Sequence, residues 1–574
     1  YKEWRDYMGL HAYLLITLVA LVMFAYTAIQ SKKNAIRRMQ KKIKEQWGHF
    51  SEREYEQKEY DKIADYFKKI SESMEDKSSI IDDITWNDLD MDTVFMAMNT
   101  TYSSAGEECL YKILRITRSE EKELKERDRL SEYFSSHKKE AEKLQEIYYS
   151  LGRTKNISIT KFIDRLYELD EKSNIKHYIL DAFLGVSFIT LFIEPVIGIM
   201  FSLFMIILNV FVYYSRKAEI ESYFVCFKYL VYMQEAAKLI IKVNCDGISS
   251  YTNRLRDICK ILSPIRKGAF LLASAKMDGS ISEIIMEYVR MITHVDLIKF
   301  NSMLKLTKKH SEDVEELFAT LGNIEAMIAV ASFRESLNFY TKPEFSEDKK
   351  SGIHFKDIYH PLIDEPVANS MSEEKCVLLT GSNASGKSTF LKTVAINAIF
   401  AQTIYTCTAK EYKTSYYNIY TSMALRDNLQ GQESYYIVEI KSLKRILDCI
   451  ASGKKVMCFV DEVLRGTNTV ERIAASTYIL KNLSDCGAMC FAATHDVELT
   501  HILENVYANY HFQEEVRDDD VLFNYNLYEG RAVSRNAIKL LKVMGYESTI
   551  IKNAESAAQK FLDTGMWESS QKFR

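Results

Sequence analysis

An α/β domain built on a parallel sheet, joined to an all-α region and to helices of membrane-crossing length, is the architecture this 574-residue sequence predicts. Three observations point to it. Short apolar runs in the last third of the chain each end in polar residues, as strands buried on both faces do. Only five prolines interrupt the whole sequence, so long helices are permitted. Two regions, Leu10 to Ile29 and Tyr178 to Tyr214, are apolar over lengths comparable with a bilayer. The expected organisation is an amino-terminal anchor over 1–45, a helical core over 46–340 interrupted by an apolar hairpin at 178–214, and the α/β domain over 341–574.

The first strand of the α/β domain is Cys376 to Thr380. It runs into Gly381, Ser382, Asn383, Ala384, Ser385, Gly386, Lys387 and Ser388, the spacing G-x-x-x-x-G-K-S of a phosphate-binding loop. Thr389 to Ile404 then reads as a helix. Glycines allow the backbone to wrap an anion without Cβ clashes. Amides at the start of the helix point at that anion, and the helix dipole favours it. Lys387 would reach the β and γ phosphates, and Ser388 would place its hydroxyl on Mg²⁺.

A second strand, Lys455 to Val460, ends in Asp461 and Glu462. Ligand groups collect at the carboxyl ends of parallel strands. Asp461 suits Mg²⁺, directly or through water, and Glu462 suits polarisation of an attacking water. A third strand, Ala488 to Ala493, ends in Thr494 and His495, which places a histidine beside those acids.

These residues carry a family resemblance. Thr380 to Thr389, Asp461 to Thr469 and Ala493 to Thr500 resemble the ATPase domain of the MutS proteins, ABC-type ATPases of DNA mismatch repair. Gly431 to Glu439 resembles the signature segment of that family, with Ser434 in its serine position, and Leu527 to Ile538 resembles its closing strand and helix. Upstream, Asp83 to Asp90 and Asn99 to Gly106 resemble the start of its helical core. The resemblance covers about 370–550 strongly and about 80–340 more weakly. It implies an ABC/MutS-type α/β fold that binds ATP with Mg²⁺, and a head-to-tail homodimer. Each nucleotide would lie between one copy's loop and Ser434 of the other. It further implies that Asn383 and His495 sense the γ-phosphate and that His360, in His360-Pro361, lies near the adenine. Ser382, Ala384 and Ser385 depart from the usual loop pattern, as small residues at variable positions.

The amino-terminal part departs further. Mismatch-recognising members insert a Phe-x-Glu motif into DNA from a separate domain. Phe50-Ser51-Glu52 spells the motif, but with about eighty residues before the core it reads as coincidence, so mismatch recognition is not expected. Leu10 to Ile29 instead lacks Asp, Glu, Lys and Arg, and seven Lys and Arg residues follow between Lys32 and Lys44. The positive-inside rule then places the amino terminus outside and the ATPase domain in the cytoplasm, as part of an integral membrane protein. The second apolar region splits at Glu194-Pro195, a plausible helix break. Lys172, Lys176, Arg216 and Lys217 flank it, which fits a hairpin with both ends in the cytoplasm. The hairpin occupies a stretch comparable with the DNA-gripping clamp of MutS relatives, so ATP-driven motion is expected to reach the membrane.

A net charge of −4 gives no global attraction to nucleic acid. Ten cysteines show no C-x-x-C pair, so neither zinc nor a structural disulfide is expected. Cys458 and Cys490 fall in core strands as small hydrophobes. Two apolar sets follow helical spacing, Leu130 to Leu151 and Val314 to Ala331, and Tyr340 to Ser351 reads as a linker. The function expected is a membrane-anchored MutS-like ATPase whose load is DNA, the membrane or an unidentified protein partner. The alternatives are an ABC-type transporter, which would need more spans and an L-S-G-G-Q signature, and a nucleotide-dependent scaffold, against which Glu462 argues.

Overall fold

Apolar runs bounded by glycine and acid residues do form the strands of a sheet. The computed structural model describes residues 2–154, 158–268, 281–346, 352–382, 385–423, 435–465, 467–516, 521–532, 538, 541 and 544–567. The chain divides into two compact units. One comprises Tyr1–Lys69, Asn99–Tyr111 and Leu130–Ser336; the other comprises Ile70–Met98, Lys112–Arg129 and Leu337–Arg574.

The second unit holds both sheets. Its strands are β1 (Glu344–Phe345), β2 (Ile353–Ile358), β3 (Asn369–Glu373), β4 (Cys376–Thr380), β5 (Glu411–Thr414), β6 (Asn418–Ser422), β7 (Val456–Asp461), β8 (Met489–Ala493), β9 (Tyr507–Val516) and β10 (Val521–Glu529). The larger sheet has the order β10-β9-β4-β8-β7-β6. All its pairs are parallel except β10 with β9. Every residue of β4 and β8 is buried, and so is β7 up to Val460. That burial follows from helices on both faces, and it is why these strands read as continuous apolar runs. Cys376, Leu378, Cys458, Val460, Cys490 and Ala492 share one core with residues of helices Tyr435–Ala451 and Thr469–Asp485. The alternate residues point to the other face, where Phe459 and Phe491 stack at 5.3 Å. The smaller sheet, order β1-β5-β2-β3, flanks this core.

Two sequence expectations meet a different arrangement here. The expected linker begins inside the sheet unit: Thr341 pairs with Cys407, and Glu344–Phe345 forms β1 beside β5. Residues 347–351 lie outside the described residues. The segments Ile70–Met98 and Lys112–Arg129, expected within a helical core, also pack into this unit. Thr421 and Met423, at the end of β6, donate to the buried Asp88 carboxylate at 2.7 and 2.9 Å.

The other unit is helical. Helix Ser311–Ser336 is buried along almost its whole length. Gly322 faces the helix Ser104–Arg115, where any Cβ would collide with Cys109 and the Ala105 carbonyl. Glu325, on the same buried side, accepts hydrogen bonds from the Tyr102 and Ser103 amides and the Ser103 hydroxyl. It thereby satisfies orphan donors where that helix begins. The periodic set Leu130 to Leu151 lies on two helices, Glu121–Ser136 and Lys138–Leu151, with His137 between them. Phe50 packs on Phe333 with ring centroids 6.0 Å apart.

The apolar hairpin consists of helices Ile175–Ile193 and Pro195–Val243. Glu194, extended at φ −135°, ends the first, and Pro195 opens the second, where its missing N–H costs nothing. The second helix runs far past Tyr214, the expected end. The 19 residues of the first helix span about 28 Å at 1.5 Å per residue, close to the ~30 Å hydrocarbon core of a bilayer. Among the described residues three helices are long and apolar enough to cross a membrane: Ile175–Ile193, Pro195–Glu221 and Ser311–Ser336. The amino-terminal helix, Lys2–Gln46, contains the expected span 10–29. Side chains of residues 1–17 and 21 lie outside the described residues, and Leu18, Val22 and Phe24 are exposed.

Candidate nucleotide-binding cleft

The carboxyl ends of β4, β7 and β8 bring three loops to one cleft of about 540 Å³ in the sheet unit. Gly381 leaves β4 at φ +143°, and a Cβ there would stand 2.8 Å from the Phe512 carbonyl of β9. Gly386 has φ +105° and precedes the helix Lys387–Thr403. Both positions need glycine for conformational reasons, and Gly381 needs it for space as well. Asn383 and Ala384 lie outside the described residues.

Lys387 is buried, and its Nζ donates to the Gly381 and Ser382 carbonyls at 2.8 and 2.7 Å. Burial pushes its pKa down; Asp461, Glu462 and Glu514 push the other way. A cation so desolvated gains from a nearby anion. Ser388 donates its hydroxyl to Asp461 Oδ2 at 2.5 Å, so the expected pair of hard oxygen ligands sits side by side. Ser382 donates to Glu514 at 2.9 Å. Ser385, Gly386 and Thr389 line the cleft beside them.

Glu462 follows β7 with φ +59°, an unusual conformation for a residue with a Cβ. Its amide donates to the Ala493 carbonyl at 2.9 Å. His495 Nε2 lies 3.0 Å from one carboxylate oxygen and Arg465 Nε 2.8 Å from the other. Burial lowers the His495 pKa, and the Lys387 cation adds to that effect. A neutral imidazole donating from Nε2 to the carboxylate fits this geometry. The structure thus brings together Lys387, Ser388, Asp461, Glu462 and His495 from three separate sequence segments.

Apolar and aromatic side chains line the same cleft: Ile358, Ile363, Pro366, Val367, Phe390, Phe512 and Tyr525, with His360 among them. Two of these residues stand at the loop itself, Tyr525 against Gly386 and Phe512 against Gly381. Burial drives the His360 pKa down to about 4, with Lys392 contributing. Tyr525, itself at φ +53°, sits where β10 loses register with β9. Asn369 holds that bulge in place: its amide donates to the Tyr525 carbonyl at 3.1 Å, and its carbonyl accepts from the Leu527 amide at 2.8 Å. Sequence reasoning did not find Tyr525, Phe512 or Asn369. The only signal was an asparagine and an aromatic in otherwise ordinary strands, and the bulge that unites them is a tertiary feature. Ser434 lies outside the described residues.

Oxygen ligands suit Mg²⁺, which binds through one or two protein groups plus phosphates and water. Among the described residues no group of three or more His, Cys, Asp or Glu could hold a metal, so a divalent ion would depend on Ser388, Asp461 and a bound polyphosphate. An amphiphilic cleft lined by a buried cation and by rings is chemically suited to a nucleotide.

Residues 377–562 match the family profile of MutS domain V. The DNA mismatch repair protein MutS of Thermotoga maritima is 30% identical over 265 residues, covering 44% of this chain and 33% of the relative. The corresponding proteins of Acetivibrio thermocellus and Leptospira interrogans are 26% and 28% identical over 285 and 290 residues, covering 46% and 48% of this chain and 32% and 34% of their own. The chain therefore matches about a third of the length of these curated relatives. Residues 377–562 thus match MutS domain V, and the chain is similar to MutS proteins over somewhat less than half of its length.

Proposed function

We propose that this chain is a membrane-associated, MutS-type ATPase that works as a pair of copies. The observation that carries the reading is the convergence of Lys387, the Ser388–Asp461 contact and the His495–Glu462 pair in one cleft. Lys387 would exchange its two carbonyl partners for phosphate oxygens, and the amides of the loop would hold the β-phosphate. Ser388 and Asp461 would hold Mg²⁺, which when bound would neutralise charge on the phosphates. Glu462 would accept a proton from the attacking water, with His495 fixing its orientation. The aromatic and apolar lining, with His360, would receive the base. Asn383 and Ser434 belong to this reading as γ-phosphate contacts, the second from the other copy.

The hairpin supports the membrane part. Phe192 is 90% exposed, and Phe183, Ile189, Val196, Phe204 and Ile207 are exposed with it. Monomeric soluble proteins rarely expose so continuous an apolar surface. The relatives are named for DNA mismatch repair; here the hairpin favours a load at a lipid surface over a duplex. The transporter alternative gains nothing from these matches.

The test is phosphate release by the full chain in detergent and in vesicles. Wild type should hydrolyse ATP, and Glu462→Gln should bind it while turnover drops by about 10²- to 10⁴-fold, the usual worth of a general base. An unchanged rate would remove Glu462 from that role.

A further inference from the structure

Glu439 is 5% exposed, and it lies on the helix Tyr435–Ala451 rather than on any loop of the cleft. Its Oε1 accepts a hydrogen bond from the Leu464 amide; burial raises its pKa, and the Leu464 and Arg465 amides work against that shift. A carboxylate buried this deeply is costly unless something specific uses it. What it holds is the turn that carries Glu462. Within that turn both Glu462 (φ +59°) and Leu464 (φ +58°) are left-handed. Such residues are strained and persist only where their surroundings over-determine them. Three contacts do so: the Glu462 amide on Ala493, the Ser476 hydroxyl on the Val463 carbonyl at 3.2 Å, and Glu439 on the amides beyond. The first two fix the start of the turn. Glu439 fixes its end, including Arg465, whose guanidinium pairs with Glu462.

We propose that Glu439 is a positioning residue for the Glu462 carboxylate: it locks residues 462–465 in the strained turn that aims Glu462 into the cleft. This rests on the ATPase reading above and adds a residue that touches neither nucleotide nor metal. The same helix begins one residue after Ser434. Glu439 therefore ties the segment expected to reach a second copy's nucleotide to the acid of its own cleft. A displacement of about 1 Å at a reacting group can cost on the order of 10²-fold in rate, so a residue of this kind acts on turnover and leaves affinity intact.

The experiment compares Glu439→Gln, Glu439→Asp and Glu439→Ala in the full chain. Gln keeps the reach and a carbonyl acceptor without the charge; Asp keeps the charge and loses the reach. The expected order of kcat is wild type, then Gln, then Asp and Ala about 10- to 100-fold down, with KM for Mg-ATP changed less than about threefold. Amide hydrogen exchange at Leu464 and Arg465 should accelerate in Asp and Ala without nucleotide, and stay near wild type in Gln. Asp outperforming Gln, KM rising in step with the loss of kcat, or unaltered exchange would each overturn the proposal. Should Ala fail to fold, the order of Gln and Asp still decides it. Should wild type hydrolyse nothing, the ATPase reading fails, while exchange at Leu464 and Arg465 still reports on whether Glu439 holds the turn.

Discussion

The cleft of the sheet unit and the hairpin of the helical unit are incomplete in opposite senses. The cleft gathers a buried cation, acids and a histidine around a space that rings also line. The hairpin presents rings and aliphatic chains outward, with 17% and 28% of its two most apolar windows buried. Protein interiors pair the first kind of group and cover the second. The difference teaches how the proposed function divides the chain: a polyanion would complete the first region and a hydrocarbon phase the second.

Helix Ser311–Ser336 sharpens the contrast. It too is long and apolar enough to cross a membrane, with a mean hydropathy of 1.3 against 1.4 and 2.5 for the hairpin helices, yet 83% of its most apolar window is buried within protein. A lysine at Leu321 would strand a charge in that core and should cost more than about 4 kcal/mol, read as loss of the cooperative unfolding transition in detergent. A lysine at Phe204 should leave that transition in place. Instead it should weaken insertion of the hairpin by about 2.5–3.5 kcal/mol, as for a cation at mid-bilayer. Fluorophores attached at Phe192→Cys should be quenched by nitroxide lipids and not by iodide in vesicles. Quenching by iodide, or Phe204→Lys unfolding the unit as Leu321→Lys does, would erase the distinction.

Smaller effects should appear in the pH dependence, with opposite signs in the two regions. Glu325, buried in the helical unit, has its pKa raised to about 7, chiefly by burial. The folded state holds that proton more tightly than the unfolded chain, so stability falls as pH rises from about 4.3 through about 7. His360, in the cleft, has its pKa lowered to about 4. There the unfolded chain binds the proton more tightly, so stability falls as pH drops from about 6.5 toward 4. Comparing Glu325→Gln with His360→Gln separates the two effects. The difference in Tm from wild type should change between about pH 4.3 and 7 for the first variant, and between about pH 6.5 and 4 with the opposite sign for the second. Equal slopes would contradict the burial account.

How far the sequence carried this picture depended on whether the signal was local. The runs ending at Thr380, Asp461 and Ala493 were readable because strands buried on both faces are continuous and apolar, and they emerge as β4, β7 and β8. The break at Glu194-Pro195 was readable because proline cannot continue a helix. Adjacency across the cleft was not local. Glu439 meets the loop after β7 only through helix packing, and Tyr525 enters the cleft through a bulge. Helix Ser311–Ser336 was readable as a helix from the spacing of Val314 to Ala331, but how deeply it is buried depends on what packs against it. Tyr340 to Ser351 looked like a linker because the edge strand inside it, Glu344–Phe345, is short.

The most direct test is equilibrium binding of Mg-ATP to the full chain held in lipid nanodiscs, for wild type and Lys387→Ala. Wild type should bind with one nucleotide per copy, and Lys387→Ala should lose at least about 10²-fold in affinity, as when one partner of a desolvated ion pair is removed. No retention by wild type, or equal affinity in the two proteins, would contradict the account.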